Sequence, residues 1–188
     1  YYASRGLGDV YKRQSLGYPL SCIGSHVNDS RVAPYSTKAA LALFGTYGYE
    51  MNPNKLTEGE IADLARTAEI YRKYHADVIE DGTLYHLRAP FAGNTMCMQC
   101  VSKDKKASLV LFMNKLKEPD ILRFVKLKGL DAKKKYRNTL DNQVHSGEYY
   151  ARIGLNLSRE WLEEAVEGFT GTLLFVSHDR YFVERFAT

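Results

Sequence analysis

Three groups of residues in this 188-residue chain have types and spacings that could do chemistry. Cys97 and Cys100 form a C-x-x-C, the spacing of a thiol–disulfide couple or of half a zinc site. Ser25 and His26 close an apolar run, with Asp29 three residues on and Glu50 beyond the next apolar segment. Their hydroxyl, imidazole and carboxylates could hydrogen-bond a polar ligand or move a proton. His178 and Asp179 follow the apolar string TLLFVS of residues 172–177. The C-x-x-C has no second pair and no histidine cluster around it. It lies on a strand-like run, where residues three apart point to opposite faces. Core packing of both thiols is therefore expected, and no metal site. Glu50 has no carboxylate paired with it in the sequence, so a rim or capping contact is its expected role.

The elements that would position these groups differ along the chain. Tyr18–Val27 (YPLSCIGSHV) is apolar without strict alternation, as in a strand buried on both faces. Ser36–Phe44 reads as a helix with Ser36 or Thr37 as N-cap, and Thr46–Met51 as a second short strand. Thr57 and Glu60 then form a T-x-x-E capping box. Ile61, Leu64, Ala68, Tyr71 and Val78 mark one helical face, and Gly82 stands where a C′ glycine belongs. Strand–helix–strand–helix order argues for α/β with parallel strands. After Gly82 the period becomes two. Residues 84–88, 95–102, 108–114, 122–128 and 148–153 are short runs separated by turn residues, which predicts an antiparallel sheet or sandwich. Residues 160–168 are helical in pattern and 172–177 strand-like, an αβ unit at the end.

Composition is that of an ordinary globular chain, with 45% hydrophobic, 26% charged and 12% aromatic residues. No run approaches the ~18 apolar residues of a membrane-spanning helix, and no membrane association is expected. The net charge of +4 is uneven: +2 over residues 1–14, +5 over 15–157 and −3 over 158–188. The basic clusters Lys103–Lys106 and Lys126–Arg137 flank strand-like runs. They read as solvated turns, and no nucleic-acid partner is expected. Three cysteines are an odd number, which suits a reducing compartment and a cytoplasmic protein. The 14 tyrosines could stack on sugars, although core packing is their default.

From about Tyr18 to Leu157 the sequence resembles the C-terminal part of the family-36 glycoside hydrolases, the bacterial α-galactosidases. The strings YPLSCIGSHV, ALFGTYGYEMNPNKLTEGE, IYRKYHADVI, GTLYHLRAPFAGN, VSKDKKASLV, VKLKGLDAKKKYR and SGEYYARIGLNL carry the resemblance, in that order. It implies that residues 15–82 are the last strands and helices of a (β/α)8 barrel and that 83–157 are a C-terminal β-sandwich. The length agrees, since about 250 residues are typical of a whole barrel. It also implies a retaining enzyme acting on α-galactoside oligosaccharides such as melibiose or raffinose, homo-oligomeric and without a cofactor. Two carboxylates roughly 5 Å apart do such chemistry. In the family they lie in Lys-Trp-Asp and Ser-Asp-Asn motifs, and neither motif occurs here. No catalytic residue is assigned, and these 188 residues are expected to be inactive alone. Ser25 and His26 would stand at the C-terminal end of a barrel strand, the face that carries barrel sites. A sugar-hydroxyl contact from His26 competes there with a hydrogen-bonded structural histidine. Where the family has a Pro-Asn-His-Gln-Thr loop after the GSHV string, Asn28–Pro34 is shorter and different.

Both ends depart from that pattern. Asp9–Gln14 (DVYKRQ) resembles a translated sequencing adapter, and residues 1–14 read as an artefactual segment. Residues 158–188 resemble the ATP-binding-cassette ATPases of the ABC-F type just after their Walker B strand. His178 matches the switch histidine that contacts the γ-phosphate, and Ser177, Asp179 and Arg180 match its neighbours. No G-x-x-x-x-G-K-[ST] loop accompanies it, so ATP binding is expected to be vestigial. The whole then reads as a joined chain, α/β followed by all-β, with an αβ tail that packs independently of the sandwich.

Overall fold

The computed structural model describes residues 14–29, 35–88, 95–114, 124–139, 141–157 and 175–176. Residues 1–13, with most of the adapter-like segment, lie outside these, as do His178 and the rest of the tail beyond Phe175–Val176.

The first half runs β1 (His26–Asn28), α1 (Tyr35–Ala42), β2 (Gly48–Glu50) and α2 (Glu58–Tyr74). β1 and β2 are parallel, with His26 beside Gly48 and Asn28 beside Glu50. The expected strand over 18–27 is shorter because Pro19 leads into a 3-10 turn at Leu20–Cys22. The capping box of α2 forms in both directions: Thr57 Oγ1 accepts from the Glu60 N–H, and Glu60 Oε2 accepts from the Thr57 N–H at 2.8 Å. From His75 to Glu80 the helix widens into a π-helical turn. Gly82 is not a left-handed cap. Its backbone lies against the carbonyl oxygens of Val78 and Val101, where a Cβ has no room. Close approach of helix and sheet, rather than a positive φ, requires glycine there.

The second half is mixed α/β with small, mostly antiparallel sheets. β3 (Thr83–His86), β4 (Thr95–Val101) and β5 (Ser108–Asn114) form an antiparallel sheet. β6 (Phe124–Val125) pairs with β9 (Leu155–Asn156), and β7 (Lys135–Arg137) with β8 (Val144–Ser146), also antiparallel. Of the predicted strand over 122–128, the described residues pair only at Phe124–Val125, because the later backbone donors point elsewhere. Leu127 N–H binds the Tyr150 carbonyl, and Lys128 N–H binds the Gln99 side chain. The predicted strand over 148–153 is instead α3 (Gly147–Arg152). Ser146 caps it by accepting from the Tyr149 N–H at 3.1 Å, and Glu148 pairs with Arg152 one turn on. A short polar cap decides the segment's conformation over its weak alternation.

β4 is the centre of the molecule. Met96, Met98 and Cys100 pack with Leu109 and Leu111 of β5 against Leu41, Phe44, Ile70 and Val78. α2 itself packs on α1, where Leu64 meets Ala39 and Ala42, and reaches this core through Ile70, while Ile61 of its predicted apolar face stays exposed. On the other face of the sheet, Cys97, Val110 and Phe112 meet Val125, Leu127, Tyr150 and Leu155. Gln99, fully buried between the layers, is satisfied by donating to Ser108 Oγ and accepting from Lys128 N–H. The tail also reaches this sheet: β10 (Phe175–Val176) pairs parallel with the outer edge of β5. The sequence did not lead one to expect it there. Among the described residues no helix is long and apolar enough to cross a membrane.

Candidate functional site

Of the groups singled out by sequence, Asp29 and Glu50 lie where β1 and β2 run out. β1 begins at His26, so Ser25 and His26 stand at the start of that strand rather than at its C-terminal end. Asn28 and Asp29 occupy the C-terminal end, level with Glu50 of β2. Ser25 is fully buried, and Gly45 presses against its Cβ. His26 Nδ1 lies 2.7 Å from Glu50 Oε1, with the side chains 42% and 63% exposed. Gly48 permits this pairing, because a Cβ there would meet the His26 ring. The imidazole and carboxylate together form an open polar edge that can both donate and accept hydrogen bonds.

Asp29 ties the loop ends together. It accepts from Tyr35 Oη at 3.2 Å and from the Asn52 N–H at 3.4 Å. Beneath it lies Lys38, nine-tenths buried in α1, which sequence reasoning passed over. Its ammonium donates to the Asn28 carbonyl at 2.7 Å and sits over the Tyr35 ring. Burial holds its pKa below the usual lysine value, with the Asp29 charge partly opposing that shift. The signal was present as the one charged residue in an otherwise Ala- and Leu-rich helical run. Tyr49, Tyr47, Tyr71 and His75 form a further ladder of rings, joined by a 2.8 Å contact between the Tyr47 and Tyr49 hydroxyls. Burial, reinforced by Tyr49, raises the Tyr47 phenol. His75 Nε2 anchors the ladder by donating to the Gly45 carbonyl at 3.0 Å. The exposed members at this rim are His26, Asp29, Tyr49 and Glu50.

The C-x-x-C is not a site. Cys97 and Cys100 face opposite layers of β4, and burial pushes both thiols up to about 12. Lys103–Lys106 form the β4–β5 turn, where Asp104 pairs with Lys106. Among the described residues no group of three or more His, Cys, Asp and Glu could hold a metal ion. A second concavity of about 330 Å³ opens between the layers, lined by Leu109, Leu127, Tyr136 and Tyr150, with Arg137 and Asn138 also in its wall. The Tyr150 hydroxyl is buried without a hydrogen-bond partner.

Residues 8–82 match the melibiase family model, and residues 95–176 match the glycosyl hydrolase family 36 C-terminal domain. The chain belongs to glycosyl hydrolase family 36. It is 35% identical over 129 residues to the α-galactosidase AgaA of Geobacillus stearothermophilus, covering 65% of this chain and 18% of that one. A crystal structure of an AgaA variant in complex with stachyose superposes with a TM-score of 0.73 at 32% identity, covering 83% of this chain and 22% of the other. The galactosidase domain of the α-galactosidase–sucrose kinase AgaSK gives 0.72 at 26% identity, over 82% and 22%. This family-36 chain spans about a fifth of the length of such relatives. Separately, 31 residues are 64% identical to YdiF of Bacillus subtilis, named as an ATP-binding protein, and cover 5% of it.

Proposed function

We propose that this chain is the C-terminal part of an α-galactosidase, in which residues 15–82 close a (β/α)8 barrel and 83–157 form the β-sandwich behind it. The superposition on a stachyose-bound family member is the observation that carries this reading. The whole enzyme would remove terminal α-galactosyl groups from oligosaccharides with retention of configuration. Its nucleophile and acid/base carboxylates would come from Lys-Trp-Asp and Ser-Asp-Asn motifs that this sequence does not contain. The part described here then has a supporting role. The parallel pair β1–β2 would extend the barrel wall, and the His26–Glu50 edge would hydrogen-bond sugar hydroxyls near its mouth. Ser25, buried beside His26, would hold the backbone from which the imidazole projects. Acid/base catalysis by Glu50 does not fit, because its carboxylate is engaged by His26 and sits in the open.

The test has two arms. The purified 188-residue chain is expected to leave 4-nitrophenyl α-galactoside intact. A whole family-36 enzyme whose corresponding segment is replaced by residues 15–157 is expected to hydrolyse it. A raised KM with unchanged kcat in that hybrid on His26→Ala would mark His26 as a substrate contact. Turnover by the 188-residue chain itself would overturn the assignment. ATP binding has support only from the short YdiF-like stretch, and nothing in the described residues forms a phosphate cradle.

A further inference from the structure

The concavity of about 330 Å³ is built from residues other than those of the His26–Glu50 rim. Leu109, Leu127 and Leu155, all buried, give it an apolar wall. Lys135 and Arg137 of β7 also line it, two residues apart and so on one side of that strand. Tyr136 between them is fixed in place. Its hydroxyl accepts from the Asp131 N–H and donates to the Lys105 carbonyl, both at 2.9 Å.

The volume is at the lower end of the range of small-molecule sites, roughly 300–1,000 Å³. The charge on the wall is of one sign. Lys106, Lys135 and Arg137 contribute to it, and among the described residues no carboxylate does. Lys106 is matched by Asp104, whereas Lys135 and Arg137 make no ion pair among the described residues. Tyr150 of α3 belongs to the same wall, and its hydroxyl is buried with no hydrogen-bond partner. Burial, reinforced by Asp141 and Tyr149, pushes this phenol up to about 12, so it keeps its proton at neutral pH and can donate it to an acceptor. Two unmatched cations and an unused donor beside leucines suit an anion carried on an apolar body. A neutral sugar would leave those cations unmatched and set its hydroxyls against leucine.

We propose that this concavity binds a small organic carboxylate with an apolar body of about ten carbon atoms. The body lies against Leu109, Leu127 and Leu155. Lys135 and Arg137 hold the carboxylate, the guanidinium through its planar fork of donors. Tyr150 donates its hydroxyl hydrogen to an acceptor on the ligand. The site stands whether or not the chain is part of an α-galactosidase, since none of these residues belongs to the rim.

Isothermal titration of the full 188-residue chain with 4-phenylbutyrate tests this. One site per chain with a Kd below about 1 mM is expected. The matching alcohol, 4-phenylbutan-1-ol, should bind about tenfold more weakly or worse, because it brings no charge to the cations. Lys135→Gln and Arg137→Gln should each weaken binding about three- to tenfold, and Lys55→Gln, outside the concavity, should not. All three side chains are exposed, so the circular dichroism of these variants should match that of the unsubstituted chain. Tyr150→Phe should weaken binding about threefold without lowering Tm, because it removes a hydroxyl that has no partner. Binding of raffinose in competition with 4-phenylbutyrate would overturn the proposal. So would equal affinities for acid and alcohol, or a Lys135→Gln, Arg137→Gln double variant of undiminished affinity. Absence of saturable binding up to about 10 mM acid would overturn it outright.

Discussion

The two halves of the molecule bury their strands to very different degrees. β4 is covered on both faces, by the helices on one side and by the β6–β9 and α3 layer on the other. β1 and β2 share a small cluster of Val27, Ala39, Ala42 and Leu64, and leave Tyr49 and Glu50 in the open. The contrast separates where the molecule gains stability from where it can meet a ligand. Two-sided burial removes polar groups from water and demands that each be satisfied, as Gln99 is. A one-sided parallel pair keeps imidazole, phenol and carboxylate accessible, and contributes less to holding the chain together.

Equivalent truncations in the two halves test that contrast most strongly. Leu111→Ala, at a fully buried position of β5, is expected to cost about 2–5 kcal/mol in urea denaturation. Leu64→Ala, in the smaller cluster, should fall at or below the low end of that range, and equal losses would break the comparison. Gln99→Leu should cost about 1–3 kcal/mol in the same assay, because Lys128 N–H and Ser108 Oγ lose their partner between the layers. Thr57→Ala removes the cap of α2 and should cost about 1 kcal/mol, visible as a lower Tm. His26→Ala, at an exposed pair, should change stability by less than about 1 kcal/mol, and a larger loss would move the rim into the structural half.

The smallest effect concerns acid. Hydrogen bonds from Lys106 and Ser102 hold the Asp104 carboxyl down to about 2, below its usual 3.8. A depressed folded-state value adds stability that is present above the ordinary value and fades as pH falls from about 4 to about 2. Asp104→Asn should therefore flatten the acid limb of the stability curve in that window. Because the group is fully exposed, the change should also shrink in high salt.

Much of this arrangement was legible in the residues. The order β–α–β–α, the capping box at Thr57 and the strands at 83–86, 95–101 and 108–114 follow from periodicity and local caps. The opposite facing of Cys97 and Cys100 follows from the two-residue period of a strand. Local signals failed where they conflicted. At 148–153 a weak alternation was overruled by Ser146, and at 126–128 backbone donors were drawn to the α3 end and to Gln99 rather than to a ladder. The candidate site was half legible. His26 and Glu50 stood out by type, but their pairing needed the register that sets Gly48 beside His26. Lys38 was hidden within a helical pattern, since burial of a charge depends on which neighbours cover it.

By itself the sequence determined the class of each half, the family it resembles and the absence of the catalytic motifs, because composition, period and short strings are properties of the chain alone. Tertiary structure decided that α2 packs on α1 through Leu64 and joins the β4 core through Ile70, that His26 meets Glu50, and that a tail strand pairs with the edge of β5. Each of these joins residues far apart in sequence, and only the packing of layers brings such groups within reach of one another.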